Sequence, residues 1–160
     1  MHWRLTPREF KARKGGGNRQ AMRRLARSER APGILAYDAE NPIGWCAIAP
    51  REEYSALDRS RVLKPIDDQP VWSVSCFYID KAYRRQGVSV KLLDAAVKYA
   101  KSNGARIVEG YPVEPKKDNY PAVFAWTGTT KTFKRAKFQE YVRRSSTRPI
   151  MRREIGRDAL

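Results

Sequence analysis

The feature that most limits this chain is a junction in its middle, where the run Val71 to Ile79 passes through Asp80 to Gly87 directly into a helix-patterned segment. The run consists of Val, Ile, Phe, Tyr, Trp, Ser and Cys without an interior charge, which suits a strand buried on both faces at the centre of a sheet. From Val88 the apolar residues recur as Val88, Leu92, Leu93, Ala96, Tyr99 and Ala100, with Lys91, Asp94, Lys98 and Lys101 on the opposite face and Asp94 and Lys98 spaced to pair. Asn103-Gly104 supplies the residue types that tolerate a left-handed C-cap, and Ala105 to Tyr111 reads as another strand. A strand, a helix and a second strand of this length make a βαβ unit with parallel strands and a right-handed crossover, so the turn lies at the carboxyl end of a strand.

A helix N-terminus at such a turn offers unpaired backbone amides and a partial positive charge, to which Arg84 and Arg85 add full charges. Gly87 lets the backbone come close to a ligand. No Gly-Lys-Ser/Thr ending of a Walker loop and no three-glycine dinucleotide fingerprint is present, so the expected anion is a different phosphate.

Arg84, Gly87 and Ser89 fill the three places of the pattern Gln/Arg-x-x-Gly-x-Gly/Ala, and in this respect the segment resembles the pyrophosphate loop of the GNAT superfamily of acetyl-CoA-dependent N-acetyltransferases. The apolar strand before the loop, the Leu92-Leu93 helix, the stop at Gly104 and the later Phe133 to Phe138 segment extend the resemblance over roughly Gly33 to Arg153. It implies an α/β (α+β) fold: a mixed, mostly antiparallel sheet with a central splayed parallel strand pair and helices on both faces. It also implies one N-acetyltransferase-like domain over residues 1–160, with a basic helical segment at 1–30, a core at 33–153 and the CoA-binding βαβ unit at 71–111. A chain of 160 residues is long enough for one such core.

Elsewhere, Thr6-Pro7 reads as an N-cap and first helical position of a helix to about Lys14, broken by Gly15-Gly16-Gly17. Asn18 is placed to cap a second helix with a narrow stripe of Met22, Leu25 and Ala26. Ile34 to Tyr37 and Ile43 to Ala49 read as a hairpin around Asp38 to Pro42, Pro50 to Leu63 as a helical connection, and Tyr141 to Arg144 and Pro149 to Glu154 as closing strands. No run is apolar enough for a membrane span, and the basic N-terminus has no apolar region after it, which points to a cytoplasmic protein. Cys46 and Cys76 fall in strands and read as reduced core residues. The single histidine, His2, leaves no material for a histidine triad or a metal centre, so no metal is expected.

The resemblance implies that acetyl-CoA enters between the parallel strands. The backbone of Phe77, Tyr78 and Ile79 would pair with the pantetheine arm, and Arg85, Gln86, Gly87, Val88, Ser89 and Val90 would wrap the pyrophosphate. An amine would attack the thioester directly, which needs removal of an amine proton and stabilisation of an oxyanion. Glu109, near the carboxyl end of the second parallel strand, is the candidate base, since several members carry Glu in the matching place. The alternative is that Glu109 pairs with an arginine such as Arg106 or faces solvent. The family's usual acid, a tyrosine before the last strands, is replaced by Phe133. Either solvent protonates the leaving thiolate or another tyrosine does, Tyr111 and Tyr120 being nearest in sequence. Cys76 as an acyl carrier would need an activating base, and no histidine is there to supply it.

Charge is concentrated at the two ends. Residues 1–30 hold 10 Lys/Arg against 2 acids and residues 131–160 hold 10 against 3, whereas the stretch between is nearly balanced and the total is +16. An anionic or RNA-linked amine acceptor fits that distribution, and a nucleic-acid-binding protein on the same scaffold is the competing reading. The residues do not decide which amine is the acceptor or whether the chain forms a homodimer through its last strands.

Overall fold

The computed structural model describes residues 1–115 and 125–156. In chain order its elements are α1 (Pro7–Ala12), α2 (Gly16–Ala26), β1 (Gly33–Asp38), β2 (Asn41–Pro50), a 3-10 turn (Arg51–Glu53), α3 (Ser55–Asp58), β3 (Trp72–Ile79), a 3-10 turn (Lys81–Tyr83), α4 (Val88–Ser102), β4 (Ile107–Gly110), α5 (Thr130–Arg135), β5 (Gln139–Arg143) and β6 (Pro149–Glu154). The strands form one mixed sheet in the order β1-β2-β3-β4-β6-β5. All neighbours are antiparallel except β3 and β4, whose parallel register is Trp72↔Val108, Ser73↔Glu109 and Val74↔Gly110.

Helix α4 lies on one face of the sheet. Its Leu92, Leu93, Ala96, Val97 and Ala100 are buried against Cys46, Ile48, Trp72, Val74, Val108 and Met151, the larger side chains contributing about 1.5–3 kcal/mol each. The opposite face packs Ala49, Tyr54, Leu57, Leu63, Tyr111 and Ile150 into a second cluster. Gly104 ends α4 with φ +83°, as the sequence pattern requires. Asp94 is joined to Arg153 of β6 at 2.7 Å, not to Lys98, because the closing strand brings a guanidinium nearer than the next helical turn does.

Strand β3 is not buried on both faces throughout. Its first four residues are buried, but Tyr78 is 59% exposed. The uncharged run conceals a bulge: Ala47 pairs with Cys76 and Ile48 with Val74, so Ser75 has no partner in β2. The extra residue reverses the alternation. Trp72 and Val74 face α4 before it, and Phe77 and Ile79 face α4 after it.

Several expected boundaries move: β4 is Ile107–Gly110 against an expected Ala105 to Tyr111, and β5 is Gln139–Arg143 against an expected Tyr141 to Arg144. Helix α1 ends at Ala12, and α2 starts at Gly16 with Gly15 as its cap at φ +77°, so only the first of the three glycines breaks the chain. Asn18 sits inside α2, where its side-chain amide donates to the Phe10 carbonyl at 3.0 Å and holds the two helices together. The connection after Pro50 is helical only over Arg51–Glu53 and Ser55–Asp58.

Candidate active site

Past Val74 and Gly110 the parallel pairing of β3 and β4 stops, which leaves a gap between the carboxyl ends of the two strands. On its β3 side the chain runs through the Lys81–Tyr83 turn into α4. Asp80 caps that turn by accepting from the Ala82 amide at 2.9 Å, and the Tyr83 hydroxyl donates to Asp38 at 2.6 Å. Arg85 has φ +62° and Gly87 φ +80°, and a Cβ built on Gly87 would meet nothing within 4 Å. Within α4 the first amide returned to the chain is that of Val90, bonded to the Gly87 carbonyl at 3.0 Å. Among the described residues no backbone carbonyl takes the amides of Arg85, Gln86, Gly87, Val88 or Ser89. Five consecutive donors at the positive end of a helix of 15 residues are the right donor set for an anion with several oxygens. Arg84 does not add to this set through its Nε, which donates to the Ile79 carbonyl at 3.1 Å, and the side-chain amide of Gln86 is spent on the Ala82 carbonyl.

The gap is bridged by the chain itself. The Phe77 amide donates to the Trp126 carbonyl at 2.6 Å, and Val113 pairs with the segment after it through Gly128 and Thr130. Since Asp80 turns its amide to Ile43 of β2, strand alternation leaves the Phe77 carbonyl and the Ile79 amide on the gap side, while Tyr78 turns its backbone to Trp45. Trp126 in turn packs on Trp3 and His2, with ring centroids 5.6 and 6.0 Å away.

Glu109 lies beneath the gap on the face away from α4 and is fully buried. Its Oε1 accepts from the Tyr111 hydroxyl at 2.7 Å and from Arg51 at 3.3 Å, and its Oε2 accepts from Arg152 Nε at 2.7 Å. Arg152 also grips Asp67 with two bonds of 2.6 and 3.0 Å, and Arg51 reaches Asp58 and the Leu63 carbonyl. The Tyr111 hydroxyl is shared with Ser73 at 2.8 Å; burial, with the Glu109 charge second, pushes that phenol well up. The partners of Glu109 are therefore Arg51 and Arg152, not Arg106. Arg106 could be named because it is a sequence neighbour, whereas the two real partners are brought in by β2 and β6. Tyr120 lies outside the described residues. Phe133 is fully buried in a slot made by two glycines, Gly110 and Gly128, and touches Phe77 and Phe138 edge-on.

Two groups went unnoticed in the sequence. Tyr54 is 1% exposed, sits beneath Arg4 in cation–π contact at 4.6 Å, and is pushed up to about 12 by burial. Trp126 was unremarkable in an irregular stretch, and only its carbonyl contact with Phe77 shows its position. Burial also raises both thiols, Cys46 and Cys76, which are unpaired.

Asp67 gives a pH prediction. Its bonds from Arg152 hold its carboxyl at about 2, below the ordinary 3.8. A lowered folded value means that its contribution is complete above about pH 4 and is lost as the pH falls towards 2. Acid melting curves of Asp67→Asn should therefore converge on those of the parent between pH 4 and 2, and curves that stay parallel over that window would contradict the assignment.

The acetyltransferase (GNAT) family model matches residues 2–126, and the chain belongs to that family. Solved structures share the fold at low identity. An acetyltransferase of the GNAT family from Listeria monocytogenes 4b F2365 aligns with TM-score 0.58 at 11% identity, covering 94% of this chain and 77% of its own. A GCN5-related N-acetyltransferase from Kribbella flavida gives 0.52 at 18%, covering 86% and 77%. The NatC complex bound to Gag peptide and CoA gives 0.53 at 11%, covering 87% and 78%. No curated protein sequence matches the chain.

Proposed function

We infer that this acetyltransferase moves the acetyl group of acetyl-CoA to an amine by direct attack on the thioester. The observation that carries the reading is the row of free amides from Arg85 to Ser89 at the start of α4, at the mouth of the one parallel strand pair. Those amides would hold the pyrophosphate, and the Phe77 carbonyl and Ile79 amide would take the pantetheine arm. The acetyl thioester supplies an activated acyl carbon, so the protein need provide only orientation, a path for the amine proton and a donor for the carbonyl oxygen.

Neither acid–base candidate, Glu109 on β4 or Tyr111 just after it, presents a free atom. All of Glu109's nearest bonds go to two guanidiniums and a phenol, and the Tyr111 hydroxyl is committed to Glu109, Arg51 and Ser73. In this reading Glu109 and Tyr111 hold the wall of the gap, and solvent takes the amine proton. Phe133, enclosed and without a hydroxyl, leaves thiolate protonation to solvent too.

The test is a thermal-shift titration with acetyl-CoA, run beside the Arg84→Glu/Gly87→Glu variant. At a hundredfold excess over the dissociation constant, a ligand bound only by the folded state stabilises it by about 2.7 kcal/mol, roughly 5–10 °C for a domain of this size. That shift is expected in the parent and not in the variant. A folded parent whose melting temperature ignores acetyl-CoA would overturn the reading.

A further inference from the structure

The cations of the N-terminal helices differ from the six arginines that are paired with carboxylates among the described residues. Arg4, Arg30, Arg51, Arg143, Arg152 and Arg153 each have a carboxylate partner. By contrast, Arg19, Arg23, Arg24 and Arg27 on and just after α2 are exposed, and no carboxylate lies within 4 Å of any of them among the described residues. The same holds for Arg8, Lys11, Arg13 and Lys14 on and just after α1. The one acid in this stretch, Glu9, is used in the capping box with Thr6. The turn at Gly15 and the bonds of Asn18 to Phe10 and Arg13 fold α2 back on α1, so that both sets of cations belong to one surface.

The chemistry of that surface narrows the partner. The inner stripe of α2, Asn18, Ala21, Met22 and Leu25, is buried or half-buried, which leaves only Arg and Gln outward apart from the small Gly16 and Ala26. A membrane-binding helix needs a free apolar face, and a protein interface needs apolar anchors; this one offers neither. Gly16, Arg19, Gln20 and Arg23 line a shallow depression, and Arg19, Arg23 and Arg27 recur every four residues, about 6 Å apart along the axis. Six of the eight cations are arginine, whose planar fork matches phosphate oxygens. With its inner face covered, α2 offers phosphates an arginine-rich outer face with which to lie along a sugar–phosphate backbone.

We propose that the outer face of α1 and α2 docks the phosphate backbone of an RNA that carries the acceptor amine. The choice of RNA over DNA rests on the acetyl-transfer reading, because an amino acid esterified to RNA offers an aliphatic amine and DNA bases do not. The docking face is joined to the gap through aromatic contacts: Phe10 lies 5.6 Å from His2, which lies 6.0 Å from Trp126. An acceptor held there is beside the bridged mouth of β3 and β4.

Fluorescence anisotropy with a fluorescein-labelled RNA hairpin, on the full chain and without acetyl-CoA, tests the docking. The parent should bind, with affinity falling steeply from about 50 to about 200 mM salt. In Arg19→Gln/Arg23→Gln/Arg27→Gln the log–log salt slope should become shallower by roughly 2 to 3, since each lost phosphate contact removes about 0.7–0.9. Lys98→Gln/Lys131→Gln/Lys134→Gln removes equal charge from other exposed positions and should keep the parent's slope. Failure of the parent to bind, an equal loss in both variants, or equal affinity for polyglutamate or phosphatidylserine vesicles would each overturn the proposal. The arginine variant should keep the parent's acetyl-CoA thermal shift, which separates failure of docking from failure of the acetyl-transfer reading.

Discussion

Replacing Glu109 by glutamine should lower the melting temperature by roughly 10 °C, which corresponds to about 3 kcal/mol for a chain of this size. Both oxygens of the carboxylate accept from donors only: Arg51 and Tyr111 on one, Arg152 on the other. Whichever way a glutamine amide is turned, its NH2 faces a donor, and two buried guanidiniums lose their shared countercharge. The loss is held to the low end of the range for broken buried pairs because Arg152 keeps Asp67 and Arg51 keeps Asp58. By the same reasoning Asp67→Asn, at the solvent end of the chain of charges, should cost no more than about 1 kcal/mol near neutral pH. Denaturant melts of the two variants check this. A Glu109→Gln protein as stable as the parent but inactive, with a shifted pH–rate profile, would return Glu109 to the role of base.

The second large effect belongs to Phe133. Phe133→Ala should cost about 3–5 kcal/mol, since the ring is fully buried and nothing near it is free to collapse into the space. The slot is narrow: a Cβ on Gly110 would lie 2.1 Å from the ring's Cε1, and one on Gly128 2.7 Å from its Cε2. Gly110→Ala alone should therefore destabilise by about 1–3 kcal/mol through overpacking. In the Phe133→Ala background the same methyl should cost little or restore stability, a coupling of about 1–2 kcal/mol in a double-mutant cycle. Additive losses would mean that the glycine serves the backbone and not the ring.

How far these sites can be read from sequence follows the distance over which their determinants act. The strand expected over Val71 to Ile79, the helix from Val88 and the stop at Gly104 rest on local pattern and turn chemistry; the helix and the stop stand where expected, and the strand starts one residue later, at Trp72. Pro149–Glu154 is likewise a strand to the residue. The bulge at Ser75 has no local signature, because a run apolar on both faces looks the same in either phase. The partners of Glu109 lie 58 and 43 residues away in sequence, one just after β2 and the other on β6, and composition cannot point to them. The turn before α4 and its row of unpaired amides are legible because they follow from the strand–turn–helix order. The surroundings of Glu109 are not, because they depend on which side chains the sheet brings face to face.

The bond from Phe77 to Trp126 makes the chain its own competitor for the strand edge that a ligand arm would use. The Phe77 carbonyl and the Ile79 amide stay open to the arm, but an arm that also took the Phe77 amide would first have to release it from the Trp126 carbonyl, and a backbone hydrogen bond is worth about 1 kcal/mol net, close to a fivefold penalty in apparent affinity. Residues that loosen or tighten the seat of Trp126, Trp3 and His2 among them, would then set cofactor affinity from the far side of the sheet without touching the cofactor.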